Sequence, residues 1–276
     1  MSPFELAEPT SLPEAIALLG IENARPLSGG TALMLMMKAG VLQPARLVSL
    51  RKLGLDEVRA DGELRIGAMA SLRALERSAQ VKAGWPAITR ALRTLSNVRV
   101  RNVATVGGAL AHADPHMDLP PLMMALNAQV TIAGTAGERR VPVEALYAGY
   151  LENTLVRDEL ITQVTIPAMG KRRAAYLKCT TRSADDWPAV GIAVLIDGDD
   201  LRIVLGAATD RPTRLAAAEK ILKGKVDDPR ALEEAARAAA EEAVIESDLH
   251  GSAAYKKQLV RVYLQRTLHE ARGAIH

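Results

Sequence analysis

The chain is poor in cysteine, in aromatic rings and in long apolar runs. A single cysteine, Cys179, among 276 residues excludes an intrachain disulfide framework. It equally excludes an iron–sulfur cluster or structural zinc site held by this chain's thiolates alone. Any such cluster must sit on a partner. Aromatic residues make up only 3%, leaving few rings for base stacking. The 35 Lys and Arg against 32 Asp and Glu give a sequence pI near 9.0 without any polybasic run, so a nucleic-acid surface is not expected. The longest apolar runs, Ala32 to Met37 and Ala189 to Ile196, fall short of the ~20 residues of a membrane helix. Glu5, Glu8 and Glu14 occupy an N-terminus with no basic stretch, which is unlike a secretory signal, and a cytoplasmic protein is expected. No G-x-G-x-x-G, no G-x-x-x-x-G-K-[ST] and no nucleophile elbow occurs.

The chain does contain 49% hydrophobic and 24% charged residues, enough for two globular cores. Ser11-Leu12-Pro13-Glu14 is a capping box, so a helix is expected up to Gly20 after a short strand at Phe4 to Ala7. A strand at Ala24 to Leu27, a helix over Thr31 to Ala39 and a strand at Ala45 to Leu50 follow. Further strands are expected at 64–68, 130–133 and 160–166, with helices at 72–80, 86–95 and 119–126. After Pro167 the polar stretch Met169-Gly170-Lys171-Arg172-Arg173 marks a boundary near residue 170. Three antiparallel strands, 174–180, 189–196 and 201–207, are then followed by helices at 213–223, 228–244 and from Ser252 onward. The expected class is α+β, with a first domain of residues 1–170, divided near residue 55, and a second of 171–276.

Chemistry concentrates in two glycine pairs, Ser28-Gly29-Gly30-Thr31 and Ala104-Thr105-Val106-Gly107-Gly108. Each removes the Cβ barrier to close approach and frees N–H groups for an anion, above all a pyrophosphate held from two sides. The competing reading is a pair of ordinary turns. His112, Asp114, His116 and Asp118 alternate, so an extended chain would present all four to zinc or iron, as in a metal-dependent hydrolase. Pro115 interrupts that alternation, and Asp118 is equally placed to cap the helix at Leu119-Pro120-Pro121. Lys178 and Arg182 suit either a redox ring or open solvent.

Taken together, several segments resemble the FAD-binding medium subunit of the molybdenum hydroxylases, the family of carbon monoxide dehydrogenase and xanthine dehydrogenase. They are Leu27 to Thr31, Arg101-Asn102-Val103-Ala104-Thr105-Val106-Gly107-Gly108, Asp118 to Pro121, Asp158-Glu159-Leu160-Ile161, Lys178 with Arg182, and Ser247-Asp248 through Tyr255-Lys256. The resemblance implies two subdomains gripping FAD and a C-terminal domain with a three-stranded antiparallel sheet and helices. It implies that Leu27, Ser28, Gly29, Gly30, Thr31, Ala32 and Leu33 wrap the pyrophosphate, opposed by Ala104, Thr105, Gly107 and Gly108. Asp118 would bind toward the ribose and adenine, Leu160 or Ile161 would offer backbone to the adenine, and Lys178 would approach the flavin. Ala32 and Ala109 depart from the polar residues usual at those places in the family, which removes one or two polar contacts. The resemblance also implies partners: a large molybdopterin subunit that hydroxylates the substrate and a small subunit with [2Fe–2S] clusters, assembled as a dimer of heterotrimers. This chain would carry no substrate-hydroxylating residue.

Overall fold

The computed structural model describes residues 2–273 and builds them into three sheets that matter for the site, plus a two-stranded ribbon. The first segment runs β1 (Glu5–Ala7), α1 (Leu12–Leu19), β2 (Ala24–Leu27), α2 (Leu33–Lys38) and β3 (Arg46–Ser49). The expected cap forms with one shift: Ser11 Oγ accepts from the Glu14 N–H, but the Glu14 carboxylate accepts from the N–H of Thr10, one residue before the cap, at 2.9 Å. The three strands pair in parallel in the order β1-β3-β2, and Ala15, Leu19 and Val48 fill a small core beneath them.

The second segment adds β4 (Val58–Asp61), β5 (Glu63–Gly67), α3 (Leu72–Arg77), α4 (Ala79–Gly84), α5 (Pro86–Thr94), α6 (Val98–Val103), α7 (Val106–Ala111) and α8 (Leu119–Ala125). It closes with β6 (Gln129–Gly134), β7 (Gly137–Pro142), the ribbon strands β8 (Tyr147–Gly149) and β9 (Glu152–Asn153), and β10 (Leu160–Ile166). A five-stranded antiparallel sheet results, ordered β4-β5-β10-β6-β7. The helix expected over 72–80 is two helices, because Ser78 leaves helical geometry (ψ 118°) and turns its hydroxyl to the Val81 N–H. Leu160, at the start of β10, packs into the core of the first subdomain, whereas Ile161 faces the core of the second.

The C-terminal segment comprises β11 (Arg173–Thr180), β12 (Pro188–Asp197), β13 (Asp200–Gly206), β14 (Thr213–Arg214), α9 (Ala216–Leu222), α10 (Pro229–Glu242) and α11 (Ala253–Gly273). Its sheet has four antiparallel strands rather than three. Thr213 and Arg214, expected to open a helix, instead pair with Leu205 and Val204 before α9 begins. Alternation along the strands buries both faces. Ile192, Val194 and Ile203 meet α9, α10 and α11, while Ala193, Leu195 and Val204 join the core of the preceding domain.

Candidate functional site

The first glycine loop lies between β2 and α2, with residues 27–33 half-buried. Gly30 has φ +71°, a left-handed conformation that a side chain would strain. Gly29 lies against another part of the chain: a Cβ there would fall 2.1 Å from the Val103 carbonyl oxygen and 2.9 Å from Ala104 Cα. The N–H groups of Gly29, Gly30, Thr31 and Ala32 donate no hydrogen bond among the described residues. This is a row of open backbone donors beside the short helix α2, and such a row is complementary to phosphate oxygens.

The second glycine pair is built differently from the sequence expectation. It is the first turn of α7, with Thr105 as its cap, and its N–H groups are already used. Val106 donates to the Ala70 carbonyl at 3.0 Å, Gly107 to the Ala68 carbonyl at 2.8 Å, and Gly108 to Thr105 Oγ1 at 3.1 Å. Gly107 lacks a side chain because Ala68 fills the place, at 2.6 Å from a Cβ built there. The pair therefore serves as a packing platform, and the open donors belong to the first loop. Ser28 and Thr105, far apart in sequence, hydrogen-bond through their hydroxyls and join the two loops. Ser28 Oγ also lies 3.3 Å from the Met69 sulfur, and Met69, like Ala68, carries no signal in the sequence.

Asp118 occupies the cap position of α8 but makes no capping hydrogen bond. It turns instead to β11, accepting from the Tyr176 hydroxyl at 2.6 Å and from Lys178 Nζ at 2.9 Å. Tyr176 and Lys178 share one face of β11 by strand alternation, a signal that would have identified Tyr176 beside Lys178. Lys178 Nζ also donates to the Asp186 carbonyl, and its side chain is only 6% exposed. Burial pushes the Asp118 carboxyl upward, opposed by the Lys178 ammonium and the Tyr176 hydroxyl. Burial and the neighbouring Asp118 carboxylate push the Tyr176 phenol well above its ordinary range. The resemblance assigns Asp118 to the ribose and adenine and Lys178 to the flavin; here they form one ion pair. Leu160 and Ile161 are in the ladder with Ala133 and Ile132, at an irregularity that shifts the register before Gln163. Arg182 is exposed.

The alternating His112 to Asp118 segment does not converge on one point. His116 bridges two carboxylates, with Nδ1 3.1 Å from Asp114 and Nε2 3.0 Å from Asp248, while Asp118 faces β11. Pro115 breaks the extended run that the metal reading requires. Among the described residues no group of three or more His, Cys, Asp or Glu is arranged to hold a metal. Burial alone would lower His116, but its two carboxylate partners raise it above its ordinary range. Asp248 is held down to about 2: burial opposes this, and Lys256, 2.6 Å away, together with His116 outweighs it.

Residues 2–169 match the family model of the FAD-binding domain in molybdopterin dehydrogenase, and residues 175–271 match that of the CO dehydrogenase flavoprotein C-terminal domain. The chain belongs to the FAD-binding subunits of the molybdenum hydroxylases. This flavoprotein is 30% identical to the glyceraldehyde dehydrogenase medium chain of Sulfolobus acidocaldarius, across 97% of its length and 98% of the relative's. It is 31% identical to the carbon monoxide dehydrogenase medium chain of Hydrogenophaga pseudoflava, across 97% and 96% of the two chains. Superposition on a solved carbon monoxide dehydrogenase from that organism gives a TM-score of 0.94 at 33% identity, covering 99% of each chain. Quinoline 2-oxidoreductase from Pseudomonas putida 86 gives 0.92 at 31% identity, covering 100% of this chain and 99% of that one. The residues present fit FAD, because among the described residues the N–H groups of Gly29 to Ala32 have no partner, beside a platform in which Gly107 leaves no room for a side chain.

Proposed function

We propose that this chain is the electron-transfer subunit of a molybdenum hydroxylase, receiving electrons from [2Fe–2S] clusters on a small partner subunit and passing them to an external acceptor. A large partner would carry the molybdopterin and the substrate, in a dimer of heterotrimers. The single observation that carries this reading is the open donor row of Gly29 to Ala32, fastened to Thr105 through Ser28. In a chain with only one cysteine, it is the feature suited to holding a redox group.

The residues divide the work. Backbone N–H groups of residues 29–32 would hold the pyrophosphate of FAD, with Leu27, Ser28 and Leu33 shaping the loop. Ala104, Thr105, Gly107 and Gly108 support it from behind, and the backbone at Leu160 or Ile161 would meet the adenine. Asp118 and Tyr176 hold Lys178 at a fixed place, where its ammonium would set the local field at the flavin. When bound, FAD supplies the one- and two-electron chemistry that the side chains lack. Residues 1–170 would form the flavin domain and 171–276 its C-terminal companion.

The test uses the assembled complex with and without this chain. With it, substrate bleaches the flavin absorbance and an external acceptor is reduced. Without it, substrate still reduces the clusters but acceptor turnover falls to background. Acceptor turnover at an undiminished rate without this chain would refute the proposal.

A further inference from the structure

A concavity of about 450 Å³ opens where β12, β13 and α9 meet Asn127 of the preceding domain. Its volume lies within the ~300–1,000 Å³ of small-molecule sites. Five of its lining side chains are cations, Arg172, Arg202, Arg214, Lys220 and Lys223, against three carboxylates, Asp197, Asp200 and Glu219. Carboxylates satisfy only some of them. Lys223 pairs with Asp200 at 2.8 Å, and Glu219 takes Arg214 at two points, Nε and Nη2, each at 2.8 Å. Arg172 donates to the carbonyls of Ala168 and Met169, and among the described residues neither it nor Lys220 forms an ion pair with a carboxylate.

Arg202 is the least satisfied of the three guanidinium groups. Its partner Glu144 is 3.3 Å away and nearly half exposed, and Arg202 Nε is buried with no hydrogen-bond partner among the described residues. Val204 sits opposite Arg214, and Arg202 is two residues from Val204, so both guanidinium groups stand on one face of the sheet. Burial and then the Arg214 charge lower the Arg202 pKa. Two like charges held together in a cleft cost free energy that an oxyanion would relieve. Guanidinium forks match phosphate oxygens in pairs. Glu144, partly hydrated already, would return to water at little cost.

We propose that this cleft binds a small phosphate-bearing anion, gripped by Arg202, with Arg172, Lys220 and the remaining edge of Arg214 completing the charge. The site is separate in sequence from the flavin loops and takes its lining from both domains, so its ligand would brace them.

Calorimetric titration of the full-length chain saturated with FAD, using inorganic pyrophosphate and, separately, orthophosphate at constant ionic strength, tests this. FAD saturation keeps the probe from the Gly29 loop. One saturable site for pyrophosphate is expected, with orthophosphate weaker because it spans fewer cations. Arg202→Gln should weaken binding at least ~10-fold and Lys220→Gln a few-fold, with FAD content unchanged. Lys220 is exposed, so its variant carries the test if Arg202→Gln folds poorly. Absence of saturable binding, or equal affinity in wild type and the Lys220 variant, would overturn the proposal.

Discussion

At Gly29 the requirement for glycine comes from packing, not from φ. A methyl group there would collide with the Val103 carbonyl, a backbone atom that cannot rotate away, so the loop itself must move. Gly40 is the useful contrast, with φ +75° and nothing within 4 Å of a built Cβ. Gly29→Ala should weaken FAD binding by ~10-fold or more through displacement of the donor row, since overpacking of this kind costs about 1–3 kcal/mol. Gly40→Ala should lower stability by about 1 kcal/mol through backbone strain and leave FAD affinity intact. Fluorescence titration with FAD and thermal melts distinguish the two; equal FAD affinity in both variants would contradict the loop assignment. The sequence displayed the glycine pairs and Lys178 openly. It did not display that Gly107 gives way to Ala68, because that contact depends on how β5 and α7 meet.

Elements with a strong local signal were legible: α1 through its capping box, β12 through its unbroken apolar run, and α10 through Asp228-Pro229. Those decided by tertiary contacts were not. Val98-Arg99-Val100-Arg101 alternates like a strand, yet it folds as α6 because Asn97 caps it and Arg101 reaches Glu76 on α3 at 2.9 Å. Gly137 to Pro142 has no apolar alternation and becomes strand β7 only by pairing with β6. Between elements, His116 fastens the 112–118 loop to the segment before α11 through Asp248, which Lys256 also holds. His116 is raised above its unfolded value, so its contribution is complete below about pH 6.5 and is lost as pH rises through its higher folded value. Asp248 is depressed, so its contribution is present above about pH 4 and is lost as pH falls through its folded value of about 2. The thermal midpoint should therefore decline on the alkaline side in wild type and be flatter there in His116→Gln. Parallel alkaline declines in the two proteins would show that the fastening does not depend on this imidazole.

For the molecule as a whole, the C-terminal sheet decides cohesion. One face serves α9, α10 and α11, and the other completes the core of the preceding domain. Residues 171–276 expressed alone would expose Ala193, Leu195 and Val204 to water. Such a fragment should self-associate or bind a hydrophobic dye, and the intact chain should melt in one cooperative transition. Size-exclusion chromatography and calorimetry check this; a monomeric fragment melting at the midpoint of the full chain would contradict it. The two-part pattern of strands and helices was visible in the sequence, but the double use of one sheet appears only when both faces are assigned.

The Ser28–Thr105 clasp has a consequence for biogenesis. Its halves are 77 residues apart, so the nucleotide loop cannot be clasped until the second glycine segment has left the ribosome. The loop that would hold the nucleotide therefore takes its final shape only after α7 has been made.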